Sequence, residues 1–162
     1  MATATKQRQQ DSGELSLIDR TAGLMGGPRV LKHKVAGALD VHEAVEAGLP
    51  GSALHYLIDS LLVIEFDAPL ERAMGLSRRT FQRTKEDPKK PLSVEQSGRT
   101  WKFAEVLALA IDVLGTQELA ERWLERPAIG LSARRPIDLL STPAGTELVE
   151  TYLQRIKYGV YT

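Results

Sequence analysis

The residue types that most often perform catalysis are sparse in this sequence and do not cluster. The chain carries three histidines, His33, His42 and His55, and no cysteine. The histidines are widely spaced, and none stands in the spacing of a metal-ligand pattern. His55 and Asp59 are i,i+4 neighbours on a predicted helix, which a surface pair explains better than a catalytic dyad. The lack of cysteine excludes disulfides and thiolate chemistry and fits a reducing cytoplasm.

Carboxylate pairs and glycine-rich stretches occur, but neither forms a catalytic arrangement. Glu118 and Glu121 are predicted to lie on exposed helical arcs, where solvation is the ordinary explanation for acidic residues. The segment "GLMGGP" (23–28) ends in proline and no strand precedes it, so it lacks the features of a phosphate-binding loop. The sequence therefore predicts a protein that is not an enzyme and that needs neither a metal ion nor another cofactor.

The overall composition is that of an ordinary globular protein. Of 162 residues, 43% are hydrophobic and 26% are charged, so a true core is possible. No apolar run approaches the roughly 20 residues of a membrane span, and the N-terminus lacks the apolar region of a signal peptide. We therefore expect a cytoplasmic protein without a membrane partner.

Positive charge is concentrated in one stretch, although the net charge is zero. Residues 78–102 hold eight basic and three acidic side chains, a net charge of +5, whereas residues 1–77 carry −3 and residues 103–162 carry −2. Such a concentration is typical of a nucleic-acid contact. A solvated charged helix is the alternative reading.

The basic stretch contains the spacing of a helix-turn-helix. In "LERAMGLSRRTFQRTKED" (70–87) a short helix, a glycine turn and a serine-capped helix follow one another. Phe81, with help from Thr84, is predicted to face inward. Guanidinium groups suit phosphates and guanine edges, and an amide suits adenine. The candidate DNA-binding residues are Ser77, Arg78, Arg79, Gln82, Arg83, Lys85, Lys89 and Lys90, with Arg99 and Lys102 as further phosphate contacts. Glu71 departs from the pattern, since alanine is frequent at that position of the first helix.

The periodicity of the remaining chain predicts an all-α protein. Residues 1–14 are nearly devoid of apolar side chains and are predicted to be disordered, and residues 15–33 are predicted to be loose. One predicted helix is capped by Ser52, and its apolar face includes Leu62. The other predicted helical segments are 40–47, 67–74, 77–87, 94–115, 116–126, a turn after Pro136, and 142–158. The expected division is a flexible N-terminal segment (1–39), a helix-turn-helix DNA-binding domain (40–104) and a small C-terminal domain (105–162).

The C-terminal third combines core positions with an unusual tail. Trp123, Leu124, Ile129 and Leu131 are predicted to be core, and Leu148, Val149, Tyr152, Leu153 and Ile156 form a stripe suited to packing. The chain then ends on "KYGVYT", in which Gly159 allows a turn out of the helix. An apolar, aromatic terminus is unusual and indicates a segment that is buried in something.

An ordered series of residues in this third is similar to a known family. From about Val106 to the end, the chain resembles the toxin-binding domain of Xre antitoxins, which the MbcA and ParS groups share. Residues 49–103 resemble the Xre-type helix-turn-helix of the same antitoxins. The residues that carry the resemblance of the C-terminal third are Leu114, Gly115, Ala120, Trp123, Leu124, Pro127, Gly130, Leu131, Pro136, Asp138, Leu139, Leu140, Thr142, Gly145, Leu153, Ile156 and Gly159. Lys157 departs from it, because many relatives have an acidic residue there.

The resemblance implies a function that composition alone does not give. In this family the C-terminal region of the antitoxin occludes the NAD-binding pocket of a RES-domain toxin, which degrades NAD, and the helix-turn-helix binds the operator as a homodimer and represses the operon. The residues this assigns to toxin binding are Arg134, Arg135, Arg155, Lys157, Tyr158, Gly159, Val160, Tyr161 and Thr162. Three alternatives stay open: a tail that packs on its own domain or in a homodimer, a DNA-binding regulator whose C-terminal domain only oligomerises, and a pure protein-interaction module.

Overall fold

The computed structural model describes residues 17–159, and every regular element among them is helical. This confirms the predicted all-α class; within these residues the only β-type pairings are the isolated bridges Pro50–Pro91 and Ala128–Arg134. The elements are α1 (17–24), α2 (Gly27–Leu31), α3 (Ala38–Ala47), α4 (Gly51–Ser60), α5 (Ala68–Met74), α6 (Arg78–Glu86), α7 (Val94–Leu114), α8 (Gln117–Leu124), a 3₁₀ turn (Ile129–Leu131), α9 (Pro136–Leu139) and α10 (Pro143–Lys157).

Side-chain caps fix the starts of the helices that matter for function. Ser77, Ser93, Thr116 and Thr142 each accept a hydrogen bond from the backbone N–H three residues later, at the starts of α6, α7, α8 and α10. Each cap satisfies one of the N–H groups that a helix leaves without an internal partner. The caps predicted at Ser77 and Thr142 are confirmed.

The helix α4 differs from its prediction at both ends. It begins at Gly51 with Pro50 as the N-cap residue, so the cap expected at Ser52 is wrong. It ends at Ser60, and Leu62, predicted on the apolar face, is 65% exposed. The reason is that the backbone N–H groups of residues 62–64 bond to the carboxylate of Glu121 instead of continuing a helix.

The long helix α7 lies at the centre of the molecule. It packs against α3 and α5, which precede it in the chain, and against α8 and α10, which follow it. Its residues Ala104, Val106, Leu107 and Ala110 are fully buried, and they belong to one continuous apolar core. The domain border expected at residue 104 thus falls inside a helix that both halves share.

The segment before α3 is part of this core, which corrects the flexible-segment prediction for residues 17–39. Met25 is fully buried, and Leu31 and Val35 are each only 4% exposed. Gly26 and Gly27 adopt positive φ angles of 97° and 70° and turn α1 directly into α2. The glycines that seemed to indicate a loose chain therefore form a tight turn, which a residue with a side chain adopts rarely.

Candidate functional site

The helix pair α5 and α6 has the arrangement that a helix-turn-helix requires. Gly75 ends α5 in the left-handed region at φ 64°, and Leu76 is buried between the helices. On the inner side of α6, Phe81 is 6% exposed and stacks on Phe66 with ring centroids 4.4 Å apart. This packing fixes α6 on the body of the protein and leaves its opposite face to solvent.

The exposed face of α6 carries an ordered row of DNA-type side chains. Arg79, Gln82 and Arg83 follow one another at i, i+3 and i+4, so they share one side of the helix. All three are exposed, and neither arginine takes part in an ion pair within residues 17–159. Two guanidinium groups and an amide are therefore available to a partner.

The other predicted residues of α6 are partly engaged within the protein. The Arg78 side chain donates from Nη2 to the Phe66 carbonyl at 3.2 Å, and the Lys85 ammonium lies 5.1 Å from the centroid of the Phe81 ring. The Ser77 hydroxyl accepts the capping hydrogen bond described above and is 3.0 Å from the Thr80 hydroxyl. Arg78 and Lys85 thus flank the row, whereas Ser77 organises the helix start.

Glu71 has a structural role that explains its departure from the sequence pattern. Its carboxylate accepts a hydrogen bond of 3.0 Å from the backbone N–H of Arg78, the first residue of α6. A carboxylate at this end also complements the helix dipole. The unusual acidic residue therefore stabilises the turn between the two helices.

His55, on α4, ties that helix to α6. The Thr84 hydroxyl donates to the Phe81 carbonyl at 2.6 Å and lies 2.7 Å from His55 Nε2, so the histidine must be the donor in the second bond. Burial lowers the pKa of His55 from its ordinary value, which favours the neutral ring. The histidine supports α6 rather than forming a catalytic pair with Asp59.

Lys89 and Lys90 are exposed in the loop that follows α6. The carbonyls of Pro88 and Lys90 accept hydrogen bonds from the backbone N–H groups of Ser52 and Gly51, at 2.9 and 3.2 Å. The loop is thus fixed at the start of α4 while both lysine side chains extend into solvent.

Arg99 and Lys102 hold the two halves together, which corrects their prediction as phosphate contacts. Arg99 Nη2 donates to the carbonyls of Arg72 at 2.5 Å and Ser141 at 2.9 Å, so it links α5 to the start of α10. Lys102 pairs with Glu150 of α10 at 2.9 Å and with Glu105 at 3.3 Å. These contacts rim a cavity of about 450 Å³ between α7 and α10.

Within residues 17–159, the predicted toxin-binding side chains differ in their contacts. Lys157 pairs with Asp112 at 3.1 Å, and Asp112 also pairs with Arg20 of α1 at 2.6 Å. Hydrogen bonds from Arg20 and then from Lys157 lower the pKa of Asp112. Tyr158 is 71% exposed at the end of α10.

The four other described residues of this set differ in their exposure and partners. Arg155 and Arg134 are exposed and make no ion pair within the described chain. Arg135 binds Asp138 through two hydrogen bonds of 2.9 and 3.1 Å, and these raise its pKa. The exposed Gly159, at φ 66°, is the last described residue, and the predicted contacts Val160, Tyr161 and Thr162 lie outside the described residues.

Glu121 is buried, so its predicted exposure is wrong. Its carboxylate accepts hydrogen bonds of 3.0 Å from the backbone N–H groups of Leu62, Val63 and Ile64, and one of 2.9 Å from Gln117 Nε2. The donors that make this burial favourable are backbone groups of a distant loop, and nothing in the local sequence around α8 indicates them.

An exposed apolar surface also differs from the prediction. Ile129, predicted to be core, is 95% exposed, and Leu148, predicted in the packing stripe of α10, is 58% exposed. In the same domain, Trp123 of α8 and Tyr152 of α10 stack with ring centroids 6.0 Å apart, and both rings are half-buried. We call Trp123, Ile129, Leu148 and Tyr152 the apolar patch.

Residues 17–159 contain neither a metal-binding cluster nor a membrane-spanning helix. No group of three or more histidine, aspartate or glutamate side chains in this range is placed to hold a metal ion. Likewise, none of the helices in that range is long and apolar enough to cross a membrane.

Comparison with known proteins identifies the two halves of the molecule. Residues 67–105, which hold α5, α6 and part of α7, match the antitoxin Xre-like helix-turn-helix domain. Residues 109–159 match the antitoxin Xre/MbcA/ParS C-terminal toxin-binding domain. Over 126 residues the chain is 29% identical to a Pseudomonas putida protein named Antitoxin Xre, across 78% of this chain and 76% of that protein.

These matches agree with the geometry. The first segment contains the exposed arginine row of α6, and the second contains the apolar patch and the end of α10. The two matched segments together cover more than half of the chain, in the order of the Xre antitoxins. The chain belongs to the Xre antitoxin family, with an Xre-like helix-turn-helix domain followed by an Xre/MbcA/ParS toxin-binding domain.

Proposed function

We propose that this antitoxin neutralises a RES-domain toxin that degrades NAD, by placing its C-terminal region in the NAD pocket of the toxin. The observation that carries the proposal is that the toxin-binding domain ends in an exposed helix terminus. Tyr158 is 71% exposed, and Gly159 has a positive φ of 66°, a conformation that ends a helix. In the sequence, an apolar valine, an aromatic tyrosine and a threonine follow at positions 160–162.

We further propose that the protein represses its own operon through α6. Arg79, Gln82 and Arg83 would contact base edges and phosphates, with Arg78, Lys85, Lys89 and Lys90 on the adjacent backbone. A homodimer would present two copies of α6 to two half-sites of an operator. Both activities place the protein in the cytoplasm, where operator and NAD are found.

The DNA half of the proposal is tested by removing both free arginines of the row. In Arg79→Ala/Arg83→Ala the fold should persist, because both side chains are exposed. Operator affinity should fall, and the slope of log affinity against log salt should become less steep by about 1.8 if both groups neutralise phosphates. Arg122→Ala/Arg126→Ala removes the same charge from the other domain and is the control. Equal affinities for the two double variants would contradict the assignment of α6.

The toxin half is tested in cells by co-expression. A RES-domain toxin encoded in the neighbouring reading frame should arrest growth, and the full antitoxin should restore it. A chain truncated after Lys157 lacks Tyr158 and residues 159–162, and it should fail to restore growth while still binding the operator. Full protection by the truncated chain would exclude the tail from the mechanism.

A second candidate function is that of a DNA-binding regulator whose C-terminal domain only oligomerises. The apolar patch supports this candidate, because such a surface also suits contact between two copies of one chain. Under this alternative the full antitoxin would leave growth arrest by the toxin unchanged, and loss of the patch would lower both oligomer size and operator affinity.

A further inference from the structure

The turn that carries Ile129 of the apolar patch is held by backbone hydrogen bonds. The backbone N–H groups of Leu131 and Ala133 both donate to the Ala128 carbonyl at 3.0 Å, and Ala128 donates in turn to the Arg134 carbonyl at 3.0 Å. Ser132 and Ala133 adopt positive φ angles of 55° and 59°, which are unfavourable for residues other than glycine. The turn thus accepts backbone strain, and its effect is to present Ile129 to solvent.

Gly130 shows that the same turn is fitted closely to α10. A Cβ atom at this position would overlap the ring of Tyr152, so only glycine allows the turn to pass this near to the helix. Tyr152 is in turn stacked on Trp123. The turn that carries Ile129 is therefore fixed against α10 at the next residue, Gly130, while the Ile129 side chain itself stays exposed.

The position of the patch indicates which partner covers it. All its residues lie in the segment that matches the toxin-binding domain. Leu148, Tyr152 and Arg155 are spaced at i, i+4 and i+7 on α10, and residue 159 continues that spacing at i+11, so the patch leads toward the tail. Arg126, Arg134 and Arg155 are exposed and unpaired within the described chain, which favours an acidic border on the partner.

We propose that Ile129, on a turn that packs closely on Tyr152 at Gly130, is a docking anchor that inserts into an apolar depression with an acidic border on the toxin, outside its NAD pocket. This inference rests on the proposed function and deepens it. Docking by the patch and blocking by residues 158–162 are separate actions of one domain. The anchor supplies affinity, and the tail supplies inhibition.

The test measures direct binding of the purified toxin to four full-length antitoxins: the parent chain and the single variants Ile129→Asp, Ile129→Val and Leu39→Asp. Ile129→Asp should weaken binding by about 30-fold or more, the loss typical of an interface anchor. Ile129→Val keeps the apolar shape and should stay within about threefold. Leu39, which is 69% exposed on α3 outside the matched segments, is the control for adding a charge at an exposed apolar position.

The chain truncated after Lys157 separates the two actions. It should retain toxin binding to within about tenfold while losing inhibition, whereas Ile129→Asp should lose binding with an unchanged melting temperature and operator affinity. If the parent binds and inhibits the toxin but Ile129→Asp binds equally well, the anchor is refuted and the proposed function survives. If the parent does not bind the toxin, both are refuted. A change of oligomeric state in Ile129→Asp with unchanged toxin affinity would assign the patch to self-association and overturn the anchor.

Discussion

Replacing Glu121 by glutamine should destabilise the whole protein, because its carboxylate joins α8 to the loop at residues 62–64 inside the core. One oxygen, Oε1, accepts from the backbone N–H groups of Leu62, Val63 and Ile64, and the other, Oε2, accepts from Gln117 and shares Leu62. These donors come from the loop that leads into the helix-turn-helix, whereas Glu121 itself lies on α8. The residue is fully buried.

The magnitude follows from the number of bonds and their charge. A hydrogen bond to a charged group contributes about 1.5–3 kcal/mol, against about 0.5–1.5 kcal/mol for a neutral pair. When the carboxylate loses its charge, its hydrogen bonds from three backbone N–H groups weaken, and this weakening costs roughly 3 kcal/mol. Glutamine also places an NH₂ group where Oε2 accepts from the Gln117 amide, so two donors face each other. The lower desolvation cost of a neutral amide offsets part of this loss, and we expect a net loss of about 3 kcal/mol.

The assay is equilibrium unfolding in denaturant, together with thermal melting. A loss of about 3 kcal/mol corresponds to a fall in Tm of about 6–12 °C for a protein of this length. Glu118→Gln is the matched control, because Glu118 is an exposed glutamate on the same helix, paired with Arg122 at 2.8 Å. An exposed pair contributes at most about 1 kcal/mol. A free energy of unfolding for Glu121→Gln within about 1 kcal/mol of the Glu118→Gln value would refute the reasoning.

Two further predictions follow from the same structure. Gly145 and Gly98 both lie inside helices, but a Cβ at Gly145 would overlap the Leu139 carbonyl, whereas a Cβ at Gly98 would meet nothing nearer than 3.7 Å. Gly145→Ala should therefore lower the free energy of unfolding by about 1–3 kcal/mol, and Gly98→Ala should raise it by about 0.5–1 kcal/mol; the same sign in both would contradict the packing of α9 on α10. The second prediction concerns acid. Arg20 and Lys157 lower the pKa of Asp112. The contribution of this carboxylate to the free energy of unfolding is therefore present above its unfolded pKa of about 3.9, and it is lost as the pH falls through the lower folded pKa. Asp112→Asn should be less stable than the parent by about 0.5–1 kcal/mol at pH 7, and a difference that persists unchanged at about pH 2 would argue against this linkage.

The sequence was sufficient for the elements whose determinants are local. Ser77 and Thr142 start their helices as predicted, because a capping hydroxyl acts on a backbone N–H only three residues away. The position of Phe81 under α6 follows from helical periodicity in the same way. The all-α class and the helix-turn-helix needed no information about distant contacts.

The sequence was insufficient where a residue's partner is distant in the chain. Glu121 looks solvated on its helix, and only the loop at residues 62–64 makes its burial favourable. Arg99 and Lys102 look like phosphate contacts in a basic stretch, until α10 folds back beside α7 and supplies Ser141 and Glu150 as partners. A basic or acidic residue next to a functional helix is therefore weak evidence of function before the tertiary contacts are known.

The exposed apolar residues show the converse error. Periodicity assigned Leu148 to the packing stripe of α10, and the run of apolar residues around Leu131 assigned Ile129 to the core. Leu148 is exposed because α10 buries a narrower face than its apolar composition allows, through Val149 and Leu153, whereas Ile129 is exposed because the 3₁₀ turn presents it to solvent. An excess of apolar residues over the area that the fold can bury is itself a signal of an interface.

The most direct test of the proposed mechanism is the rate of NAD consumption by the purified RES-domain toxin encoded beside this chain. The rate should be measured with the full antitoxin and with the chain truncated after Lys157, each at a concentration that saturates toxin binding. We predict that the full chain suppresses NAD consumption and that the truncated chain, although bound, leaves it close to the rate of the free toxin. Equal suppression by both chains would contradict blocking of the pocket by the tail, and suppression by neither would contradict neutralisation of this toxin.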